Sequence, residues 1–224
     1  MVRHLILVYA LLGLNAFAQT STSDLIRADE QKRLQTCLEL QETDPEDAYE
    51  FALAWQGEGR TYQSQYCAAT GLIALGKHEE GAIRLEELAI SQTLPISLKE
   101  RGVYMAQAGN AWLLANLPDQ AIVALTEAIK LEKFDANLYL DRARAYLAQK
   151  HWKKGEEDLA EAIKIQPGDL QAYILRGRAR LAQDKLDDAW ADVEQGMAID
   201  ITNVDLLVLR GDVREAKRLA AAED

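Results

Sequence analysis

The stretch YLDRARAYLAQKHWKKGEEDLAEAIKIQP (139–167), followed by YILRGRARLAQDKLDDAWADVEQGMAIDI (173–201), decides how this chain folds. Laid one on the other, the segments keep a step of 34 residues: Ala143 falls on Gly177, Gly155 on Ala189, Leu159 on Val193 and Ala162 on Gly196. The step continues outward. Gly109 and Gly211 extend the first column, Met105 and Leu207 extend that of Tyr139 and Tyr173, and Ala121, Leu125 and Ala128 head the other three. One period shared by five columns marks a repeat architecture, in which each unit buries its apolar face on the next. Within a unit, apolar residues return every three or four positions, as in Tyr139, Ala143, Tyr146 and Leu147, so the elements are amphipathic helices. Small residues at Ala143 and Gly155 predict two helices in close approach, where leucine would overpack the seam. With 4 prolines and 13 glycines in 224 residues, the chain lacks the punctuation of a loop-rich or all-β fold.

The two segments resemble the tetratricopeptide repeat, in the small-residue columns, in Pro167 closing a unit and in the period itself. The resemblance covers 102–201 strongly and 204–224 as a partial unit. It reaches 62–89 through GKHEEGAIRLEELA (76–89), where Gly81 matches Gly155 and Leu85 matches Leu159. It implies an all-α, right-handed solenoid of helix hairpins, with about eleven helices and no strand. The distance 155 − 81 = 74 exceeds two periods by six, and SQTLPISL (91–98), broken by Pro95, takes up the extra residues. The expected organisation is therefore a degenerate unit with a loop insertion at 62–101, three units at 102–203 and a capping helix at 204–224. Residues 19–61 depart from the pattern and form an N-terminal helical cap: one helix from Ser23 to Leu40, another from Asp44-Pro45 to Trp55. Polar end-covers of this kind keep a solenoid soluble. Asn116 suits a left-handed turn, Pro118 the first position of a helix, and Pro167-Gly168-Asp169 a stop followed by a cap.

Residues 1–18, MVRHLILVYALLGLNAFA, give a short positive start, an apolar run from Leu5 to Leu14 and the small-residue pattern Ala16-Phe17-Ala18. That order predicts a secretory signal cleaved after Ala18; the apolar run is too short for the roughly 20 residues of a spanning helix. The chain thus looks like an exported bacterial member of the family, located in the periplasm. Lys and Arg total 25 against 36 Asp and Glu, a net charge of −11, which opposes binding to nucleic acid.

Cys37 and Cys67 lie 30 residues apart on what the resemblance makes the first helices of neighbouring hairpins, which lie side by side. An even pair in an exported chain favours a disulfide; the alternative is two unrelated small core residues. His78 and His151 fall at the start of second helices, a packing or capping position. No catalytic residue, cofactor or metal site is expected, because no nucleophile motif, phosphate loop or converging ligand set is present.

In the family the concave wall is made by first helices, with the position after the small column facing the groove. That position reads Asn110, Arg144, Arg178 and Asp212. Leu140 and Ile174 precede the small column by three, and Leu147 and Leu181 follow it by four, so an apolar groove carrying two arginines is expected. Either the arginines pair with neighbours such as Asp141 and Asp169, or they contact an acidic or carboxylate-bearing segment of a protein partner. The resemblance implies a protein-interaction scaffold or adaptor in the cell envelope, or else an assembly helper that holds extended segments of envelope proteins. The apolar residues replace a column that is lysine in chaperone-binding relatives. From the N-terminal pattern, exported material should begin at Gln19; intact-mass measurement should show the loss of residues 1–18, and secreted protein retaining Met1 would refute the reading.

Overall fold

Four helices of this protein stop in the same way. Gly76, Asn116, Lys150 and Asp184 adopt positive φ, between 58° and 76°. In each turn the residue's own N–H bonds the carbonyl three back and the following N–H the carbonyl five back, as in Asn116 to Leu113 and Leu117 to Trp112. This is the Schellman arrangement, which satisfies carbonyls the helix end would otherwise leave unpaired. The last three of these residues stand 34 apart, so the left-handed turn is itself a repeat column. Gly76 precedes Asn116 by 40, one period plus six.

In this computed structural model, residues 22–59 and 61–223 are described, and among them the chain is eleven α-helices with no strand. They are α1 (Thr22–Thr43), α2 (Pro45–Glu58), α3 (Tyr62–Ala74), α4 (His78–Ile90), α5 (Leu98–Leu114) and α6 (Pro118–Leu131). Then come α7 (Ala136–Ala148), α8 (Trp152–Ile165), α9 (Leu170–Leu181), α10 (Leu186–Ile199) and α11 (Val204–Glu223). Each helix packs on the next, giving the expected solenoid of hairpins. First helices of successive hairpins also touch, α1 with α3, α7 with α5 and α9, and α9 with α11. Both N-terminal helices run about a turn beyond the ends predicted from periodicity, and Arg33 of α1 bonds Glu58 at the far end of α2. Residues 1–18, the expected export signal, lie outside the described residues.

Caps mark most helix starts. The side chains of Asp44, Thr61, Ser97, Asp135 and Asp169 accept a hydrogen bond from the first turn of α2, α3, α5, α7 and α9. Pro45 and Pro118 open α2 and α6, where a missing N–H costs nothing.

Glycine sets the spacing of the helices. A Cβ at Gly109 would stand 2.5 Å from Cγ of Leu125, and one at Gly155 would stand 2.6 Å from Cδ2 of Leu147. At Gly81 the Ala69 carbonyl oxygen itself lies 2.8 Å away. At Gly177 the nearest atom is Cδ2 of Leu209 at 2.7 Å, which belongs to α11 and not to the partner α10. That column therefore seals the junction between units as well as the hairpin.

The six extra residues are visible as a longer loop and an earlier start to α5. Ser97 and Glu100 form a capping box on the added turn. Arg101 reaches back to donate to the carbonyls of Ala89 in the last turn of α4, of Ser91 just after it, and of Ile96, so a cation covers a helix C-terminus. Ile96, 7% exposed, pins the loop to the core.

A second periodic feature is ionic. Arg142 grips Asp158 with two bonds of 2.7 and 2.8 Å, and one period later Arg176 grips Asp192. In the preceding unit the same two positions are Ala108 and Ala124, both buried. Arg180 adds a bridge between Asp192 and Glu156, which also receives Lys185. Burial works against charge on Glu156, but the hydrogen bonds from Lys185, Arg180 and Gln183 outweigh it and hold the carboxyl at about 2.

These seams give a paired expectation. Gly177→Leu should lower stability by roughly 1–3 kcal/mol through overpacking. Gly211, the next member of the column, has nothing within 4 Å of its Cβ position, so Gly211→Ala should instead raise stability by up to about 1 kcal/mol. Denaturant midpoints check both; equal effects would break the assignment of the column.

Candidate functional site

The side chains of Asn110, Arg144, Arg178 and Asp212 are exposed on α5, α7, α9 and α11, and Thr70 takes the same register on α3. The four apolar residues expected around them are placed differently. Leu140 is 5% exposed and Ile174 fully buried, so neither lines an open groove. The reason is the contact between successive first helices: a residue three before the small column is sealed between them. On α11, which has a first helix on one side only among the described residues, the equivalent Val208 is 52% exposed. Leu147 is half-buried and seated on Gly155, and Leu181 packs against the cluster of Ala189 and Val193. All four close helix seams.

Both arginines carry partners. Arg144 donates to Asp141 at 2.6 Å, as the sequence allowed. Arg178 donates to Asp205 of the next first helix at 2.8 Å and not to Asp169, which is occupied in capping α9. Arg178–Asp205 is a surface pair, whereas Arg144 reaches the buried Asp141; the two arginines remain 44% and 45% exposed.

The open space lies toward the N-terminal half of the same face. One depression, of about 310 Å³, is lined by Asn110, Gln107, Leu114, Thr70 and Gln41. Gln41 donates to Thr70 at 2.7 Å and to the Cys67 carbonyl, and it touches Cys37 Sγ at 3.3 Å. Cys37 and Cys67 are joined in a disulfide with Cα atoms 6.1 Å apart, both fully buried, tying α1 to α3 directly under this wall. A second depression lies between α1, α3 and the start of α5 and carries Tyr62, Tyr66 and Tyr104. Gln107 Nε2 donates to the Tyr66 hydroxyl at 2.8 Å, between the two. Burial pushes all three phenols above the ordinary tyrosine range, helped at Tyr62 and Tyr104 by Glu100, so they are neutral near pH 7. Sequence reasoning missed these tyrosines because they share no repeat column and are split between different hairpins.

His78 opens α4 and His151 precedes α8, on different hairpins. Among the described residues no group of three or more His, Cys, Asp or Glu could hold a metal ion. No described helix is long and apolar enough to cross a membrane.

No protein-family model and no curated protein matches the chain. Solved structures do. The tetratricopeptide (TPR) domain of Arabidopsis OM64 is 28% identical over 53% of this chain and 98% of its own, with a TM-score of 0.52. The first TPR of Spaghetti (RPAP3), solved bound to the HSP90 peptide SRMEEVD, is 25% identical over 54% of this chain and 93% of its own, with a TM-score of 0.50. MamA from Desulfovibrio magneticus RS-1 matches more of the chain, 78% against 95% of its own, with a TM-score of 0.65 at 18% identity, a likeness of fold alone. The structural neighbours of this solenoid are TPR domains.

The disulfide closes a loop of 30 residues between α1 and α3. Cys37→Ser with Cys67→Ser should cost about 3 kcal/mol by the chain-entropy argument. Peptide mapping without reduction should recover the linked pair from protein prepared without reductant; full alkylation of both thiols would refute the bond.

Proposed function

We propose that this protein is a non-enzymatic scaffold or adaptor of the bacterial cell envelope that holds an extended segment of a partner protein along the face of its first helices. The observation that carries the reading is that face itself: exposed polar side chains at one register on successive helices, beside two open depressions. The peptide bound by the first TPR of Spaghetti supports it, since that domain shares the fold and a quarter of the aligned residues. Two features support the periplasm: the signal pattern of residues 1–18, with cleavage after Ala18, and a disulfide that an oxidising compartment would maintain.

Arg144 and Arg178 are the contacts for an acidic or carboxylate-bearing part of the segment. Their present partners, Asp141 and Asp205, do not forbid this. An exposed ion pair such as Arg178–Asp205 is worth only about 0.2–1 kcal/mol, so a ligand carboxylate can take over Arg178 at little loss, while Arg144 keeps buried Asp141 and offers its exposed N–H groups. A planar fork then offers it two parallel bonds.

Arg144→Glu with Arg178→Glu should reduce partner capture at least about tenfold in a crosslinking pull-down from the native envelope, with helicity unchanged by circular dichroism. The matched change on the second-helix face, Lys153→Glu with Lys164→Glu, should leave capture intact. Equal capture by the groove variant and the parent protein would place the contact elsewhere.

A further inference from the structure

The larger depression on the first-helix face, about 660 Å³ between α1, α3 and α5, has a chemistry opposite to that of Arg144 and Arg178. Its walls carry Tyr62, Tyr66 and Tyr104 together with the carboxylates of Glu30 and Glu100. Tyr66 and Tyr104 are stacked with ring centroids 4.9 Å apart. Leu34 and Leu38 of α1 supply apolar surface beside them.

Two side-chain atoms at this end of the face are buried without any hydrogen-bond partner: Oε2 of Glu30, which lines this depression, and Oε1 of Gln107, which lines the neighbouring one. Their sister atoms are engaged, Glu30 Oε1 with the Trp55 indole N–H and Gln107 Nε2 with the Tyr66 hydroxyl. Both orphans are acceptors, and one belongs to a carboxylate. A buried acceptor left unmatched is costly, and what it lacks is a donor.

We propose that this depression seats a cationic side chain, lysine or arginine, of the extended partner segment. The inference rests on the groove reading above and adds the chemistry of its N-terminal end. Tyr62 and Tyr66, both partly exposed, offer ring surface to a cation, with Tyr104 stacked behind Tyr66 at 6% exposure. The leucines match the aliphatic stem that lysine and arginine bury while the head stays polar. Glu30 and Glu100 supply the countercharge, and a protein of net charge −11 draws cations toward it. Arg27 also lines the depression and opposes the assignment, one guanidinium against two carboxylates. The partner would then present a basic residue to α1–α5 and an acidic one to α7–α9.

The test is a random peptide library selected on the full mature chain and on variants. Peptides selected by the parent protein should show lysine or arginine enriched at one position. Replacing that residue by norleucine in a selected peptide should weaken binding about tenfold by fluorescence anisotropy, less at high salt. Glu30→Gln with Glu100→Gln should abolish the enrichment; it keeps an acceptor for Trp55 and for Ser97, so the fold survives and circular dichroism should confirm it. Arg27→Ala should sharpen the preference. Absence of basic enrichment, or its persistence in the Glu30→Gln, Glu100→Gln variant, overturns the proposal. Acidic enrichment that disappears with Arg144→Glu and Arg178→Glu would in that case leave the groove reading standing, whereas selection of no peptide at all would remove both.

Discussion

How closely two helices can approach governs this molecule. At Gly81, Gly109, Gly155, Gly177 and Gly196 a side-chain carbon of leucine or isoleucine stands 2.5 to 2.7 Å from where a Cβ would be. A hairpin drawn in that far brings its flanking apolar residues into contact, as in the buried cluster of Leu85, Trp112, Leu125 and Leu138, which runs unbroken across several helices. Each unit still leaves a face uncovered, so the seam must repeat for the stack to persist. Where nothing approaches, at Gly211, the column has lost its physical reason.

Between the seams, the units solve the same position with different chemistry. Ala108 and Ala124 meet as buried methyls, while Arg142 with Asp158 and Arg176 with Asp192 meet as buried ion pairs. A buried pair is no guarantee of stability, since desolvation consumes much of the attraction, and apolar replacements are often as good. What it does impose is pairing: an arginine there without its aspartate is an uncompensated charge. The extra links through Arg180, Glu156 and Lys185 join α8, α9 and α10 into one network of direction-dependent bonds.

The interruption of the period matters as much as the period. Seven loop residues and an added turn of helix displace α5, and Arg101 and Ile96 make that displacement rigid. The displaced helix carries Glu100 and Tyr104 to α3 and α1, which are already fixed to each other by the Cys37–Cys67 disulfide. A cavity with an aromatic and acidic lining arises at the one place where the repeat is irregular. The regular part of the same face carries arginines already matched to Asp141 and Asp205.

The sequence by itself determined the helix hairpins, their number, the six-residue insertion, the left-handed turn at Asn116 and the caps at Asp44 and Asp169. All of these follow from short-range chemistry or from a period, and both are written along the chain. The resemblance also placed Arg144 and Arg178 on the surface, at the position that faces the groove in the family. The tertiary structure alone decided that Leu140 and Ile174 are core, since burial there depends on a neighbouring helix 34 residues away and not on the residue's own hairpin. It decided between a disulfide and two separate core residues at Cys37 and Cys67, and it alone turned Arg178 to Asp205 and assembled Tyr62, Tyr66, Tyr104, Glu30 and Glu100 around one space. Those five residues occupy no common column and come from three helices, so their meeting depends on how an irregular loop sets the angle between packed units, a quantity that no local pattern encodes.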